Sequence, residues 1–314
     1  MKPTYTDIYR RWLASAAFAL GRLCAIRPRT VAEGVAVCLD LACYQTRSTL
    51  GKFSTLRDQP SKIVEEYCLA SRSVSAAGVD PSSFYLSIKP PALAFDARWG
   101  WDITATALGN GHGIHVDSHG HDLALPTFDF VDQLVRRSSQ PANAGRNWRF
   151  GVTLASRWKR SRYDAEWASE RGLRVRIVKG EFKARDPLDE VDARTGFLAL
   201  VDMLAGKAPA LALATHDVGL AREAIARSKN SGSSIELELL YRFPADRMIA
   251  LARELDFPIR FYVPYGRELF VYAARHLLTN PRKLARGNYL RSWLARRPTD
   301  LYRLNSPIDR PIEQ

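Results

Sequence analysis

The chain has 314 residues, of which 46% are hydrophobic, so it can bury one barrel-sized core or two smaller ones. Its formal charge of +13 would suit nucleic acid, but acidic residues lie between the basic ones and no zinc finger, RNA-recognition signature or basic repeat occurs, so we expect no nucleic-acid partner. No run approaches the roughly 18 consecutive apolar residues of a membrane-spanning helix.

The N-terminal part is helical in pattern. Residues 5 to 45 predict two or three helices, separated around Pro28 and Gly34, and we assign residues 1–45 to a flank of the domain formed by residues 46–314. Cys24, Cys38, Cys43 and Cys68 lie in apolar helical contexts without CxxC spacing. We expect them to be reduced core residues of a cytoplasmic protein.

From Ser48 onward, short apolar runs alternate with helical patterns. The predicted strands lie near residues 49–53, 84–89, 113–117, 149–154, 173–179, 210–214, 235–239 and 259–263. Eight strands alternating with helices predict a TIM-like (β/α)8 barrel with extra N-terminal helices, an α/β fold. In such a barrel the active site gathers at the C-terminal ends of the strands.

Polar residues recur at those strand ends. In chain order they are Lys89, Asp117, Arg176, Lys179, Thr215, His216, Glu236, Glu238 and Tyr241. Each one alone is best explained as an ordinary strand-end residue that faces solvent. Their recurrence directly after apolar runs predicts a shared site.

The last predicted strand ends at Pro264 and Gly266, and a helix follows it. Tyr272, Arg275, His276 and Thr279 have helical spacing and form one narrow polar stripe, whereas apolar residues cover the rest of the helix. We expect this helix to be mostly buried. A buried guanidinium needs a partner, so the stripe predicts a nearby carboxylate, on a side chain or on a ligand.

Several of these segments resemble the proline dehydrogenase family, and they occur in the family's order between residues 84 and 279, about two thirds of the chain. The matching segments are Ser87-Ile88-Lys89, Asp117 after the third strand, Arg176-Ile177-Val178-Lys179-Gly180, Ala214-Thr215-His216-Asp217, Ile235 to Tyr241, Tyr262 to Gly266, and Tyr272-Ala273-Ala274-Arg275-His276. Each motif is short, and it is their order that carries the resemblance.

The resemblance implies FAD-dependent oxidation of proline, or of a related cyclic amino acid or amine, to the imine by hydride transfer. It implies a substrate site formed by Lys89, Asp117, Tyr241, Tyr272, Arg275 and His276, and a flavin site formed by Arg176, Lys179, Gly180, Thr215, His216 and Glu238. It further implies an electron acceptor, a quinone or another molecule. Contact with a membrane surface is left open.

The chain also departs from the family pattern. Ala155-Ser156-Arg157 replaces Gln-Ala-Tyr, Glu181 replaces alanine, Glu238 replaces glutamine, His276 replaces the second arginine and Thr279 replaces glutamate. All five departures fall near the implied cofactor or substrate, which favours changed specificity; a binding scaffold with altered catalysis is the alternative. The pocket should be less cationic, so we expect free L-proline to be a poor substrate. The preferred substrate would be a proline analogue with an added basic or hydroxyl group, or a molecule with a masked carboxylate.

A cluster of histidines between His112 and Asp122 allows another hypothesis. On an extended strand His115, Asp117, His119 and His121 would share one face, and such sets bind zinc. A metal-dependent TIM-barrel hydrolase is therefore the alternative function. We favour the flavin hypothesis, with no metal, because later metal ligands are not evident and His216 belongs to a motif with a separate explanation.

Overall fold

The computed structural model describes residues 28–54, 58–138 and 149–266. It consists of the following helices and strands in chain order: α1 Val31–Cys43, β1 Arg47–Lys52, α2 Pro60–Ala76, β2 Phe84–Ile88, α3 Ala97–Gly109, β3 Gly113–Val116, α4 Ala124–Ser138, β4 Phe150–Ala155, α5 Ser161–Glu170, β5 Arg174–Val178, α6 Ala193–Leu204, β6 Ala210–Ala214, α7 Val218–Ser228, β7 Ser234–Leu240, α8 Asp246–Glu254 and β8 Ile259–Tyr265. The strands pair in parallel and in sequence order, and β8 pairs with β1 to close a barrel. This confirms the predicted (β/α)8 fold, and each predicted strand overlaps an observed one.

The barrel wall alternates in polarity along its strands. Residues that face the surrounding helices are aliphatic and almost fully buried, such as Leu86, Val175 and Leu237. Their neighbours in the chain face the barrel axis, because successive side chains of a strand point to opposite faces. Several of these inward residues are polar or charged and still buried, so the centre of this barrel is a polar interior.

Helix α1 lies against β1 and β8 and covers the seam where the barrel closes. The sequence placed a helix break near Gly34, and this prediction is wrong, because α1 continues through Gly34. A Cβ atom at this position would lie 2.8 Å from Leu50 Cδ1 and 3.4 Å from Tyr265 Cβ. The glycine therefore marks the closest approach of the helix to the barrel. Residues 1–27 lie outside the described residues, so the boundary at residue 45 remains a prediction.

The cysteine prediction holds in part. Cys38 and Cys68 are free thiols in the core, whereas Cys43 is a free thiol that is exposed at the end of α1. Cys24 lies outside the described residues. Within the described ranges, no helix combines the length and the apolar character needed to cross a membrane.

Candidate active site

Buried charges from three strands meet on the barrel axis. Glu236 of β7 accepts hydrogen bonds from Arg174 of β5 and Arg260 of β8, both at 2.7 Å on the same oxygen. Glu238, one step further along β7, binds Arg176 through both carboxylate oxygens, at 2.8 and 2.6 Å, and also accepts from Arg174 at 3.1 Å. All five residues are at most 5% exposed. Buried charges of this kind are tolerated only when they are paired, and here each of them is.

The rings of Tyr85 and His115 pack against this network. The guanidinium groups of Arg174 and Arg260 both lie over the ring of Tyr85, at 4.7 and 4.2 Å from its centroid. His115 accepts a hydrogen bond from Arg174 at Nδ1, so its Nε2–H donates to Thr153, both at 2.9 Å. Burial and the surrounding arginines hold the pKa of His115 well below its usual value, and the imidazole is therefore neutral.

The mouth of the barrel holds a second cluster, at the C-terminal ends of the strands. Lys89 follows β2, Asp117 follows β3, and Tyr262 lies within β8. The Lys89 ammonium forms a hydrogen-bonded ion pair with Asp117 and donates to the Tyr262 hydroxyl at 2.9 Å. That hydroxyl donates to Asp117 Oδ2 at 2.8 Å, which closes a triangle. The ring of Phe53 lies 4.8 Å from the Lys89 nitrogen and covers it.

Asp117 joins the mouth cluster to the central network. Its other oxygen, Oδ1, accepts from Arg176 and from Ser87, both at 2.7 Å. Burial alone would raise the pKa of Asp117, but the charges of Lys89 and Arg176 and the hydrogen bonds outweigh it and hold the pKa below its usual value. A carboxylate that is ionised and surrounded by donors is a poor proton acceptor. Its contacts hold the Lys89 ammonium in one position.

The buried charges do not cancel. Among the described residues, the network on the barrel axis contains four buried cations, Lys89, Arg174, Arg176 and Arg260, and three carboxylates, Asp117, Glu236 and Glu238. The partly exposed Arg47 adds a further cation, which pairs with Glu236 at 3.0 Å. Lys89 carries three N–H groups, and its hydrogen-bond acceptors among the described residues are Asp117 and Tyr262, so one N–H is left over. One positive charge with a donor to spare at the mouth suits a ligand with a single negative charge.

Other predicted residues lie at the C-terminal ends of β5 and β6. Lys179 donates to Asp217 at 2.9 Å, and its side chain is 42% exposed. His216 donates from Nδ1 to the Pro244 carbonyl at 3.1 Å and accepts the Leu240 N–H at Nε2 at 3.0 Å, so both ring nitrogens are engaged. His216 thus ties the end of β6 to the segment that follows β7.

Two further predicted flavin residues form local hydrogen bonds at this rim, Thr215 through its hydroxyl and Gly180 through its carbonyl. Thr215 accepts the Asp217 N–H at 3.1 Å. Gly180 has a φ of +90°, which a residue with a side chain rarely adopts, and its carbonyl accepts from Arg157 at 3.4 Å. Arg157 also pairs with Glu190 at 3.2 Å, yet its Nε is buried and has no hydrogen-bond partner in the described part of the chain. The rim therefore combines a half-exposed ammonium with an unsatisfied guanidinium donor.

Some predicted site residues lie elsewhere or outside the described residues. The side chain of Tyr241 packs in the apolar core, and burial raises its pKa to about 12, with Asp40 and Cys38 of α1 among the groups that act on it. Glu181 is exposed on the loop after β5. Tyr272, Arg275, His276 and Thr279 lie outside the described residues, so their roles remain predictions.

The histidine cluster does not form the arrangement that the alternative function needs. His115 and Asp117 face the barrel axis, but β3 ends at Val116 and the chain then turns, so His119 and His121 are not on the same strand face. The ring of His121 packs on Trp158 at 5.3 Å. His112 is fully buried and bonds Ser71 of α2 at 2.9 Å. In the described ranges, no group of three or more His, Cys, Asp or Glu side chains is placed to hold a metal ion.

Part of this site was not predicted from the sequence. Arg174, Arg260 and Tyr262 received no role, although each is central to the network. The signal was present in the alternation of charged or polar residues with apolar ones inside β5, β7 and β8. In a parallel barrel, where one face of each strand meets helices, that period of two places the charges on the axis.

Comparison with known proteins supports the resemblance to proline dehydrogenases at low sequence identity. No family model matches the chain. Proline dehydrogenase 1 of Bacillus subtilis strain 168 is 26% identical over 250 residues, which covers 75% of this chain and 78% of that protein. Proline dehydrogenase 1 of Bacillus subtilis subsp. natto is 23% identical over the same length and coverage.

Solved structures show the same fold. Proline utilization A from Bdellovibrio bacteriovorus, inactivated by N-propargylglycine, superposes with a TM-score of 0.70 at 14% identity and covers 85% of this chain. A variant of proline utilization A from Bradyrhizobium japonicum gives 0.64 at 19% identity over 80% of this chain. The chain spans only about a third of the length of these two proteins, 34% and 30%. The comparisons thus support a distant relationship to the proline dehydrogenases in sequence, and the solved structures support the shared barrel fold.

Proposed function

We propose that this protein is a flavin-dependent dehydrogenase that oxidises L-proline, or a closely related cyclic amino acid, to the imine. The observation that carries the proposal is Lys89. Its ammonium is fixed at the barrel mouth by Asp117 and Tyr262, and among the described residues it has a donor to spare and belongs to a network with an excess positive charge. A fixed ammonium of this kind is a suitable anchor for the carboxylate of an amino acid.

The residues present are compatible with an anionic cofactor. The unsatisfied Nε of Arg157 and the half-exposed Lys179 supply donors on the rim above β4 and β5. Arg176 donates from Nε and Nη2 to Glu238 and from Nη1 to Asp117. The second N–H of Nη2 has no acceptor among the described residues. FAD held by these donors would supply the hydride acceptor. His216 would act by holding the β6 rim in place, since both of its ring nitrogens are engaged.

The protein's own contribution to the reaction is orientation and charge. Lys89 would bind the substrate carboxylate, and Asp117 and Tyr262 would hold Lys89 in the required position. The rings of Phe53 and Tyr262 lie 4.8 and 5.5 Å from the ammonium and would exclude water from one side of the ion pair. Asp117 is ionised and fully hydrogen-bonded, so we assign it no proton transfer.

The two acids that suggested a less cationic pocket, Glu181 and Glu238, do not add free negative charge to the mouth. Glu238 is neutralised by Arg176 and Arg174, and Glu181 is exposed on the loop after β5. The replacement that still bears on specificity is His276, which lies outside the described residues. We therefore propose L-proline as the first substrate to test, with hydroxyproline and L-proline methyl ester, a masked carboxylate, beside it.

The test is turnover by the purified protein after incubation with FAD, with L-proline and a dye as electron acceptor. We expect dye reduction together with formation of the cyclic imine. Replacement of Lys89→Met should abolish the activity, whereas Lys62→Met should leave it unchanged, because the Lys62 side chain is 64% exposed and pairs only with Glu65. Absence of turnover with every cyclic amino acid tested would refute the proposal.

A further inference from the structure

Strand β1 has a glycine, Gly51, at the position that faces Tyr262 of the mouth cluster. Gly51 lies between Ser87 of β2 and Pro264 of β8 in the strand register. A Cβ atom built on Gly51 would lie 2.1 Å from the hydroxyl oxygen of Tyr262, 2.6 Å from Cζ and 3.2 Å from Cε1. Contacts below 3.0 Å are not sustained between such atoms, so Tyr262 occupies the volume that any side chain at residue 51 would need.

The requirement for glycine at this position is one of space. Gly51 is not among the residues with positive φ, so its backbone is one that any amino acid can adopt. Two other glycines of the barrel wall play a similar part lower in the barrel, where Gly113 faces the ring of Tyr85 and Gly151 faces His115. Gly51 differs from both because it leaves room for Tyr262, whose hydroxyl is hydrogen-bonded to Lys89 and Asp117.

The position of the Tyr262 hydroxyl fixes the geometry of the mouth. It accepts from Lys89 at 2.9 Å and donates to Asp117 at 2.8 Å, and movement of about an ångström would break both contacts. Lys89 would keep Asp117 as a partner, but it would lose the contact that sets the direction of its remaining N–H.

We propose that Gly51 is a positioning residue for carboxylate recognition. It leaves the space in which the Tyr262 hydroxyl lies, and through this hydroxyl it aims the Lys89 ammonium at the substrate. The inference rests on the proposed function, since the ligand is the carboxylate of a proline-like substrate. Gly51 itself touches no reacting atom in this arrangement and acts only through Tyr262.

The test uses the full chain, reconstituted with FAD that is reduced beforehand so that bound L-proline is not oxidised, and L-proline as the probe. Gly51→Ala should raise the dissociation constant for L-proline at least 10-fold, because a charge-assisted hydrogen bond is misaligned. In a Tyr262→Phe background those hydrogen bonds are already lost, so adding Gly51→Ala should change the constant less than about 3-fold. Gly109→Ala is the matched control, since a Cβ there meets nothing within 4 Å at the end of α3, and its affinity should stay that of the wild type.

A second readout needs no substrate. In protein labelled with fluorotyrosine, the ¹⁹F NMR signal that disappears in Tyr262→Phe is the signal of Tyr262. This signal should shift in Gly51→Ala and stay in place in Gly109→Ala. If Gly51→Ala does not fold, removal of the ring in Gly51→Ala/Tyr262→Leu should restore folding.

These outcomes separate the two proposals. Wild-type affinity in Gly51→Ala, or an equal loss in both backgrounds, or an unmoved Tyr262 signal, would overturn the positioning role of Gly51, as would failure of Tyr262→Leu to restore folding. If the wild type binds no L-proline and no related cyclic amino acid, the proposed function fails. In that case the Tyr262 signal still decides whether Gly51 positions the hydroxyl.

Discussion

Replacement of Glu238→Gln tests whether the charged interior stabilises the barrel. The carboxylate accepts three hydrogen bonds, two from Arg176 at 2.8 and 2.6 Å and one from Arg174 at 3.1 Å, and its side chain is 2% exposed. Glutamine keeps the shape but removes the charge that compensates two buried guanidinium groups. Removing one partner of a buried ion pair costs about 3–5 kcal/mol, and we expect about 3 kcal/mol, because Asp117 still pairs with Arg176.

The assay is the free energy of unfolding from urea titrations of the wild type and the variant. With a slope of about 3 kcal/mol/M for a chain of this size, the unfolding midpoint should fall by about 1 M. The matched control is Glu254→Gln, which breaks an equally short two-oxygen pair with Arg222, at 2.7 and 2.8 Å, in which the Glu254 side chain is 56% exposed. Solvent screens this pair, so the midpoint of the control should barely change. Equal midpoint shifts in the two variants would refute the reasoning.

Further predictions concern the pH dependence of stability, substrate binding by Lys89 and flavin binding near the end of β6. The pKa values of Asp117 and Glu236 are held below their usual values by neighbouring cations that outweigh burial, so below about pH 5 the unfolded chain takes up protons that the folded chain does not. Stability should therefore fall as the pH drops through about 4, and a urea midpoint that is constant between about pH 7 and pH 4 would contradict this. Lys89→Met should raise the dissociation constant for L-proline at least about 10-fold, measured by calorimetry on protein whose flavin is reduced beforehand; unchanged affinity would remove Lys89 as the anchor. His216→Ala should lower the flavin content, read from the visible absorbance, with little change in the unfolding midpoint; full flavin content would show that the β6 rim does not hold the cofactor.

The fold was predictable because alternation of strands and helices is a property of local sequence. Eight apolar runs separated by helical patterns are sufficient for a (β/α)8 barrel, and every strand was located. Gly34 was interpreted as a helix break because glycine is a poor helix former, yet tertiary packing against Leu50 and Tyr265 requires it inside a helix. Close approach between elements leaves no local signal.

The candidate site was predictable in part for the same reason. Lys89 and Asp117 follow apolar runs and were found from their positions, and the structure brings them together. The partners of Arg176 could not be read from the sequence, because Glu238 and Asp117 lie on strands that are distant in the chain. Sequence position also cannot tell that Tyr241 packs outward into the core, since a one-residue change of register reverses the face of a strand residue.

The most direct test of the account is the visible spectrum of the purified protein, before and after incubation with FAD, followed by anaerobic addition of L-proline or hydroxyproline. We expect the absorption bands of bound oxidised flavin and their loss on addition of the substrate, because a hydride is transferred to the ring. In Lys89→Met the bands should be present but should persist after the addition. A protein that retains no flavin after incubation with FAD, or whose flavin stays oxidised with every cyclic amino acid tested, would contradict the account.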